Sequence, residues 1–161
     1  MTHRALIVSS VLTAALAVPE ATAQMNPRGE TRVTLAGKPI VVDYGRPGLK
    51  GRDMLGKAAV GDEWRMGADS ATTLKTPVTL TFGTKVVPPG DYVLRAKKTS
   101  DKDWTLKFEQ DGKAVAEVPL TPSDLEKSVE LFTIDLTEEK GEGVFRMSWG
   151  NRALSARFTA K

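Results

Sequence analysis

Alternation of apolar and polar residues is the feature that most restricts the fold of this chain. Between residues 31 and 158, short segments place apolar side chains at every second position, and turns rich in glycine or proline separate them. The clearest segments are Val78, Leu80 and Phe82; Trp104, Leu106 and Phe108; and Phe145, Met147 and Trp149. Because successive side chains of a strand point to opposite faces of a sheet, each segment predicts a strand with one buried face.

The number and spacing of these segments predict an all-β fold. About eight to ten short strands fit along the chain, at a spacing typical of antiparallel sandwiches. We therefore expect a single antiparallel β-sandwich, or a flattened barrel, with one long structured loop. After Pro122, the spacing of Ser123 and Glu126 matches a capping box and predicts one short helical turn over residues 124–127.

The first 23 residues have the pattern of a cleaved secretory signal peptide. A cationic start at Arg4 precedes an apolar run from Ala5 to Val18, and small residues at Ala21 and Ala23 form a cleavage site. We expect export to the periplasm or the extracellular space, a flexible lead over residues 24–30 and a single β-sandwich domain over residues 31–161. No later apolar stretch predicts an integral membrane segment after cleavage.

Residues 24–161 contain neither histidine nor cysteine, since the single histidine is His3 and the chain has no cysteine. This excludes Ser-His-Asp and Cys-His nucleophiles, and zinc or copper sites built on imidazole or thiolate. We predict no metal and no cofactor. The net charge of +3 is small, and the lysines are scattered among acidic residues, so the chain is not expected to bind nucleic acid.

Residues 44–72 interrupt the alternation and form the candidate site. Glycines recur through this segment, which favours an ordered loop with tight turns, and charges of both signs lie between them. The candidate ligand-binding residues are Tyr44, Arg46, Lys50, Arg52, Asp53, Glu63, Trp64, Arg65 and Asp69. None of them is assigned a catalytic role.

Three interpretations of this loop remain open. In the first, its three arginines pair with Asp53, Glu63 and Asp69 around Trp64, and the domain is purely structural or binds another protein. In the second, an arginine without a carboxylate partner and the rings of Tyr44 and Trp64 bind a small anionic or sugar-like ligand, or an envelope protein. In the third, two carboxylates act as acid and base in a glycan hydrolase.

Mutual pairing is the first expectation for the charges. For the function, we favour a non-catalytic binding module and leave catalysis open. A carboxylate-based glycan hydrolase and a structural interaction domain are the alternatives. An arginine beside a carboxylate would lower the pKa of that carboxylate and make it a poorer general acid, which weighs against the hydrolase.

Several short motifs resemble those of one protein family. They are Tyr44-Gly-Arg-Pro47, Lys50-Gly-Arg52, Glu63-Trp-Arg-Met-Gly-Ala-Asp69 with Ala71-Thr72, and Val87-Pro-Pro-Gly-Asp-Tyr92. Their order and spacing, over roughly residues 31–158, resemble the secreted bacterial family catalogued as domain of unknown function 2911. The resemblance implies an exported β-rich domain without an established activity. Members often carry Asn and then Glu where this chain has Asp69 and Ser70, so a role that depends on this Glu does not transfer.

Overall fold

The computed structural model describes residues 26–161, which form ten β-strands and no helix. The strands are β1 (Arg28–Leu35), β2 (Lys38–Gly45), β3 (Glu63–Trp64), β4 (Thr73–Thr76), β5 (Leu80–Phe82), β6 (Lys85–Val87), β7 (Gly90–Lys98), β8 (Trp104–Gln110), β9 (Lys113–Glu139) and β10 (Glu142–Ala160). The prediction of an all-β antiparallel fold is confirmed. The predicted signal peptide over residues 1–23 lies outside the described residues.

The strands form one antiparallel sheet in the order β1-β2-β4-β7-β8-β9-β10-β5-β6, and β3 pairs with β7. The end strands β1 and β6 are not paired with each other, so the sheet is not closed into a barrel. The first part of β9, Lys113–Leu120, pairs with β8, and its remainder pairs with β10. The long strand β9 therefore carries the sheet from one layer to the next.

The second half of β9 lies against β1 and β2, as expected for a sandwich. The backbone N–H of Leu136 donates to Thr31 Oγ1 at 3.0 Å, and the hydroxyl of buried Tyr44 donates to the Ile134 carbonyl at 3.1 Å. These hydrogen bonds connect residues that are about a hundred positions apart in the sequence and belong to different strand pairs. They fix the position of β9 relative to the start of the long loop.

The alternating segments supply the core, as predicted. Trp104, Leu106 and Phe108 on β8 are buried, and their polar neighbours are not. The ring of Phe82 lies 5.5 Å from that of Phe108 and 5.0 Å from that of Phe158, so aromatic contacts join β5, β8 and β10. Burial of these apolar side chains is the main stabilising contribution in a chain without disulfides.

Two local predictions are wrong. Residues 28–30, assigned to the flexible lead, belong to β1 and pair with residues 43–45 of β2. The helical turn at residues 124–127 is absent, because this segment lies within β9, where Ser123 pairs with Ala153 and Asp124 with Arg152. A single helical turn has an unfavourable nucleation step, whereas β10 offers backbone partners to this segment.

Residues 26–161 include no helix of the length and apolar content that a membrane span requires.

Candidate functional site

The loop that follows β2 is fixed at its start by β9. The Leu49 N–H donates to the Glu130 carbonyl at 2.8 Å, and the Phe132 N–H donates to the Pro47 carbonyl at 3.0 Å. The Lys50 N–H donates to Glu130 Oε1 at 3.0 Å. Residues 47–50 are therefore hydrogen-bonded to β9 in the manner of a short neighbouring strand.

The second half of the loop returns to the sheet as β3. Glu63 and Trp64 pair with Lys97 and Ala96 of β7, and the Gly61 N–H donates to the Lys98 carbonyl at 2.8 Å. Residues 51–60 form an arch between these two anchored parts. Within this arch the side chain of Leu55 is buried, with 4% of its surface exposed.

A glycine at the end of β2 allows the last part of the loop to pack closely. A Cβ atom at Gly45 would lie 2.1 Å from the carbonyl oxygen of Ala68, which is shorter than any allowed contact. The absence of a side chain therefore permits the backbone at Ala68 to lie directly on β2.

A cleft of about 510 Å³ opens between the arch, β3 and the start of β8. Apolar side chains form one part of its wall, and charged side chains of both signs form the other. The apolar residues are Met54, Leu55, Ala58, Trp64 and Trp104, and the charged residues are Arg52, Asp53, Lys57, Asp62 and Glu63. We call this cavity the indole cleft.

The predicted mutual pairing of the loop charges is wrong. Within residues 26–161, no ion pair shorter than 4.0 Å involves Arg46, Arg52 or Arg65. All three arginines instead donate to oxygens that carry no charge. Their environments differ, so each of them has a different capacity to bind a ligand.

Arg46 is a structural residue. Its Nε donates to the Phe132 carbonyl at 3.3 Å, and its Nη2 donates to Thr133 Oγ1 at 3.1 Å. Both acceptors belong to β9, and Arg46 does not line the indole cleft. The guanidinium therefore holds the end of β2 against β9.

Arg52 lies on the wall of the indole cleft with part of its guanidinium unused. Its Nε donates to the Leu49 carbonyl at 3.2 Å and its Nη2 to the Gly48 carbonyl at 3.3 Å. Within the described part of the chain, Nη1 makes no hydrogen bond. Arg65 lies outside this cleft, and its Nη2 donates to the Asp69 carbonyl at 2.6 Å.

Two of the predicted carboxylates accept hydrogen bonds from N–H groups, Asp53 within its own turn and Asp69 from the start of the described chain. Asp53 Oδ1 accepts the Gly56 N–H at 2.7 Å. Asp69 Oδ2 accepts the backbone N–H of Asn26 at 2.9 Å and its side-chain N–H at 3.3 Å. Asp62, which also lines the cleft, accepts the Ala59 N–H with Oδ2 at 2.8 Å. In this part of the chain, Asp53 Oδ2 and Asp62 Oδ1 accept no hydrogen bond.

Glu63 is paired with a lysine instead of an arginine. Lys107 on β8 donates a hydrogen bond to Glu63 Oε1 and lies 3.3 Å from Glu109 Oε1. This hydrogen bond, with smaller Coulombic contributions from Lys107 and from nearby Arg95 and Lys97, lowers the pKa of Glu63, although burial opposes the shift. A carboxyl held in the ionised form is a poor general acid near neutral pH.

Aromatic rings support the cleft from below. The indole of Trp64 stacks on that of Trp149 with centroids 5.4 Å apart and an interplanar angle of 12°, and it meets Phe132 edge-on at 4.7 Å. Tyr44 contacts Phe132 edge-on at 5.7 Å and is buried. Trp64 is therefore fixed in orientation while part of it faces the cleft, and Tyr44 belongs to the core.

The structure thus divides the predicted site. It brings Arg52, Asp53, Glu63 and Trp64 to the indole cleft. The other five candidates, Tyr44, Arg46, Lys50, Arg65 and Asp69, do not line it.

Sequence reasoning missed several residues of the cleft. Trp104 was expected in the core because it alternates with Leu106 and Phe108, and it is indeed 6% exposed, but its ring also lines the cleft. Lys57 and Asp62 lie in the predicted loop, and the mixed charge of this loop is the sequence feature that could have identified them. No local pattern connects Lys107 with Glu63, because these two residues are brought together by the pairing of β3, β7 and β8.

Residues 26–161 include no group of three acidic side chains placed to hold a metal ion.

The comparison with protein families agrees with the resemblance noted from the motifs. The model of the family described as "Protein of unknown function (DUF2911)" matches residues 26–158. No curated protein and no solved structure shows significant similarity to the chain.

Proposed function

The chain belongs to the DUF2911 family of proteins of unknown function, and from that premise we propose that it is a non-catalytic module that binds a small acidic, sugar-like ligand in the indole cleft. One observation carries the proposal. Arg52, whose guanidinium has no ion-pair partner in the described residues, lines the same cleft as Trp64 and Trp104.

The dimensions of the indole cleft suit a small ligand. Its volume of about 510 Å³ falls within the range of about 300–1,000 Å³ that is usual for small-molecule sites. Such sites combine an apolar surface with a few polar groups that set the orientation of the ligand. Here the apolar part includes two tryptophans, and the stack of Trp64 on Trp149 holds one of them in place before any ligand binds.

The polar groups indicate the chemistry of the ligand. A guanidinium binds a carboxylate or phosphate through parallel hydrogen bonds, and Nη1 of Arg52 is available for such a contact. The unused oxygens Asp53 Oδ2 and Asp62 Oδ1 are acceptors that suit hydroxyl donors. The apolar C–H face of a sugar ring can pack on an indole. An acidic sugar satisfies all three conditions.

We also propose that the ligand is met outside the cytoplasm. The cationic start, apolar run and small residues of positions 1–23 support export to the periplasm or the extracellular space. The ligand would then be an acidic component or fragment of the envelope, free or attached to an envelope protein.

The glycan hydrolase is a weaker alternative. Asp53, Asp62 and Glu63 line the same cleft, but hydrolysis of a glycosidic bond requires a carboxyl that is protonated at the working pH. The lowered pKa of Glu63 opposes that role for Glu63. Asp53 and Asp62 each use one carboxylate oxygen to accept a hydrogen bond from the loop backbone.

Calorimetric titration with two sugars tests the proposal. N-acetylmuramic acid carries a carboxylate, whereas N-acetylglucosamine has the same ring without it. We expect the acid to bind more tightly, and Arg52→Gln to weaken its binding roughly tenfold or more, because a charge-assisted contact is lost. Arg65→Gln, a matched change in the same loop but outside the cleft, should leave the affinity unchanged. Equal affinity of both variants, equal affinity for both sugars, or no binding of either sugar would contradict the proposal.

A further inference from the structure

Lys98 is a buried cation without an acidic partner. It is the last residue of β7, on the inward face that also carries Tyr92, Leu94 and Ala96, and only 8% of it is exposed. Its Nζ donates to the Ala58 carbonyl at 2.8 Å. Within residues 26–161, no carboxylate lies within 4.0 Å of this nitrogen. Burial of an ammonium group is unfavourable unless an anion or several acceptors surround it.

A second cavity of about 270 Å³ lies beside Lys98. Leu55 and Trp104 contribute to its wall and to that of the indole cleft, so they separate the two cavities. Lys102 and Arg152 add two further cations to the second cavity. We call this cavity the lysine pocket.

The charges of the lysine pocket are not balanced by ion pairs. Asp101 and Asp124 also line it, so that three cations face two carboxylates. In the described part of the chain, none of these five side chains forms an ion pair with another residue. The hydroxyl of Ser123 is a further donor on the wall.

We propose that the lysine pocket is a binding site for an oxyanion of the phosphate or sulfate type, separate from the indole cleft. An ammonium group has three N–H donors, and the bond to Ala58 uses one of the donors of Lys98. Arg152 offers a planar fork of donors, and Lys102 adds a mobile positive charge. A tetrahedral anion accepts hydrogen bonds in all these directions and would neutralise the buried charge of Lys98.

The bond from Lys98 to Ala58 also has a structural effect, because it ties the arch to β7. This effect does not require Lys102 or Arg152, whose side chains are exposed. A double variant of these two residues therefore tests anion binding without removing the structural bond of Lys98.

The experiment measures the melting temperature in sodium phosphate and in sodium chloride at equal ionic strength. We expect phosphate to raise it in a saturable way, because a ligand of the folded state alone stabilises that state. The combined change Lys102→Gln and Arg152→Gln should weaken the apparent phosphate affinity roughly tenfold or more. Lys98→Met should remove the effect of phosphate if the variant folds.

Two control variants make the result specific. Lys97→Gln changes the exposed neighbour of Lys98 on the opposite face of β7, and Arg52→Gln changes the indole cleft. Both variants should keep the phosphate response of the wild type. Because the response is expected to persist in Arg52→Gln, the test does not depend on whether the indole cleft binds sugars. An equal response in the double variant, or a response that sodium chloride reproduces, would overturn the proposal.

Glucose 6-phosphate tests whether the pocket binds free phosphate or the phosphate group of a larger molecule. If the ester raises the melting temperature at the same or lower concentrations than inorganic phosphate, and the double variant loses this effect, the pocket takes the phosphate group of a larger molecule. If only inorganic phosphate acts, it takes the free ion. Both results support the site, and no saturable effect of either compound would contradict it.

Discussion

Three arginines of one loop have the same charged surroundings in the sequence but different roles in the structure. Arg46 donates to β9, Arg65 to a carbonyl of its own segment, and Arg52 lies on the indole cleft. The sequence indicated that these residues were important but not what they contact. Arg46 and Phe132 are far apart in the chain, and only the folded sheet brings them together.

The first prediction concerns stability. Arg46→Ala should lower the free energy of unfolding by about 1–3 kcal/mol, because it leaves partly buried acceptors on β9 without a donor. Arg52→Ala should change it by less than about 0.5 kcal/mol, since its acceptors lie in an exposed loop. Urea denaturation measures both values. Similar losses in the two variants would contradict the division into a structural and a binding arginine.

The second prediction concerns pH. The hydrogen bond from Lys107 lowers the pKa of Glu63 from its usual 4.5 in the folded state, so ionised Glu63 stabilises the fold above that value. The contribution is lost as the pH falls through the lowered pKa. Because Glu63 is partly exposed, Glu63→Gln should cost less than about 1 kcal/mol at pH 7.

Unfolding experiments from pH 7 down to pH 3 measure this difference between wild type and Glu63→Gln. It should shrink below pH 4.5. In an NMR titration, Lys107→Met should raise the pKa of Glu63 toward 4.5. A stability difference that does not change with pH would rule out the proposed linkage.

The buried position of Lys98 is consistent with the alternation of residues along β7. Tyr92, Leu94 and Ala96 alternate on the inward face of β7, and continuing the same alternation by one step places Lys98 inside. A lysine next to a charged turn is equally consistent with the end of a strand, so alternation alone does not show that Lys98 is buried. No comparable signal exists for Lys107 and Glu63, whose contact depends on strand pairing.

At the level of elements, turns that contain glycine join paired strands, in agreement with the glycine-rich turns noted in the sequence. Ala36-Gly37, Asp111-Gly112 and Lys140-Gly141 connect paired strands with both residues at positive φ. This conformation is typical of two-residue hairpins and favours Asn, Asp and Gly. Ala36, with φ of 50°, lacks the local hydrogen bonds that make this conformation less unfavourable for Asn or Asp.

The third prediction follows from this difference. Ala36→Asn should raise the free energy of unfolding by about 0.5–1 kcal/mol, because Asn adopts positive φ more readily than Ala. The reciprocal change Asp111→Ala should lower it by a similar amount. Thermal denaturation of the two variants checks the sign of each effect. A loss of stability in Ala36→Asn would show that backbone conformation does not limit this turn.

Pairing partners overrode local preference in β9. The capping-box spacing of Ser123 and Glu126 favours a helical turn, but the ladder with β10 holds this segment in an extended conformation. Its register with β10 shifts around Gly150, and the sequence gives no sign of such irregularities. The same stretch of β9 provides Glu130, which anchors the start of the loop.

At the level of the whole molecule, β9 belongs to both layers. Its first part pairs with β8, and its remainder pairs with β10 and lies against β1 and β2. Neither layer can therefore lose its structure without breaking contacts in the other. Alternation in the sequence predicted the strands and the core but not that β9 belongs to both layers. The apolar and polar residues of a long strand alternate in the same way whether the strand pairs with one neighbour or with two.

The fourth prediction is that the described domain unfolds in a single cooperative transition. Tryptophan fluorescence and far-ultraviolet circular dichroism should give the same urea midpoint, since β9 couples the layers. A reducing agent should not change the midpoint, because the chain has no cysteine. Two separate midpoints would show that the layers are independent.

The central claim is that Arg52 and the indoles of Trp64 and Trp104 form one ligand site. The chain contains three tryptophans, so three indole N–H resonances report on it in an ¹⁵N-labelled sample. The third belongs to Trp149, whose Nε1 donates to the Glu130 carbonyl at 3.3 Å and which does not line the cleft.

Titration with N-acetylmuramic acid should shift the resonances of Trp64 and Trp104 in a saturable way and by more than that of Trp149, and Arg52→Gln should suppress these shifts. No shift at either tryptophan, the largest shift at Trp149, or equal shifts in the Arg52→Gln variant would contradict the claim.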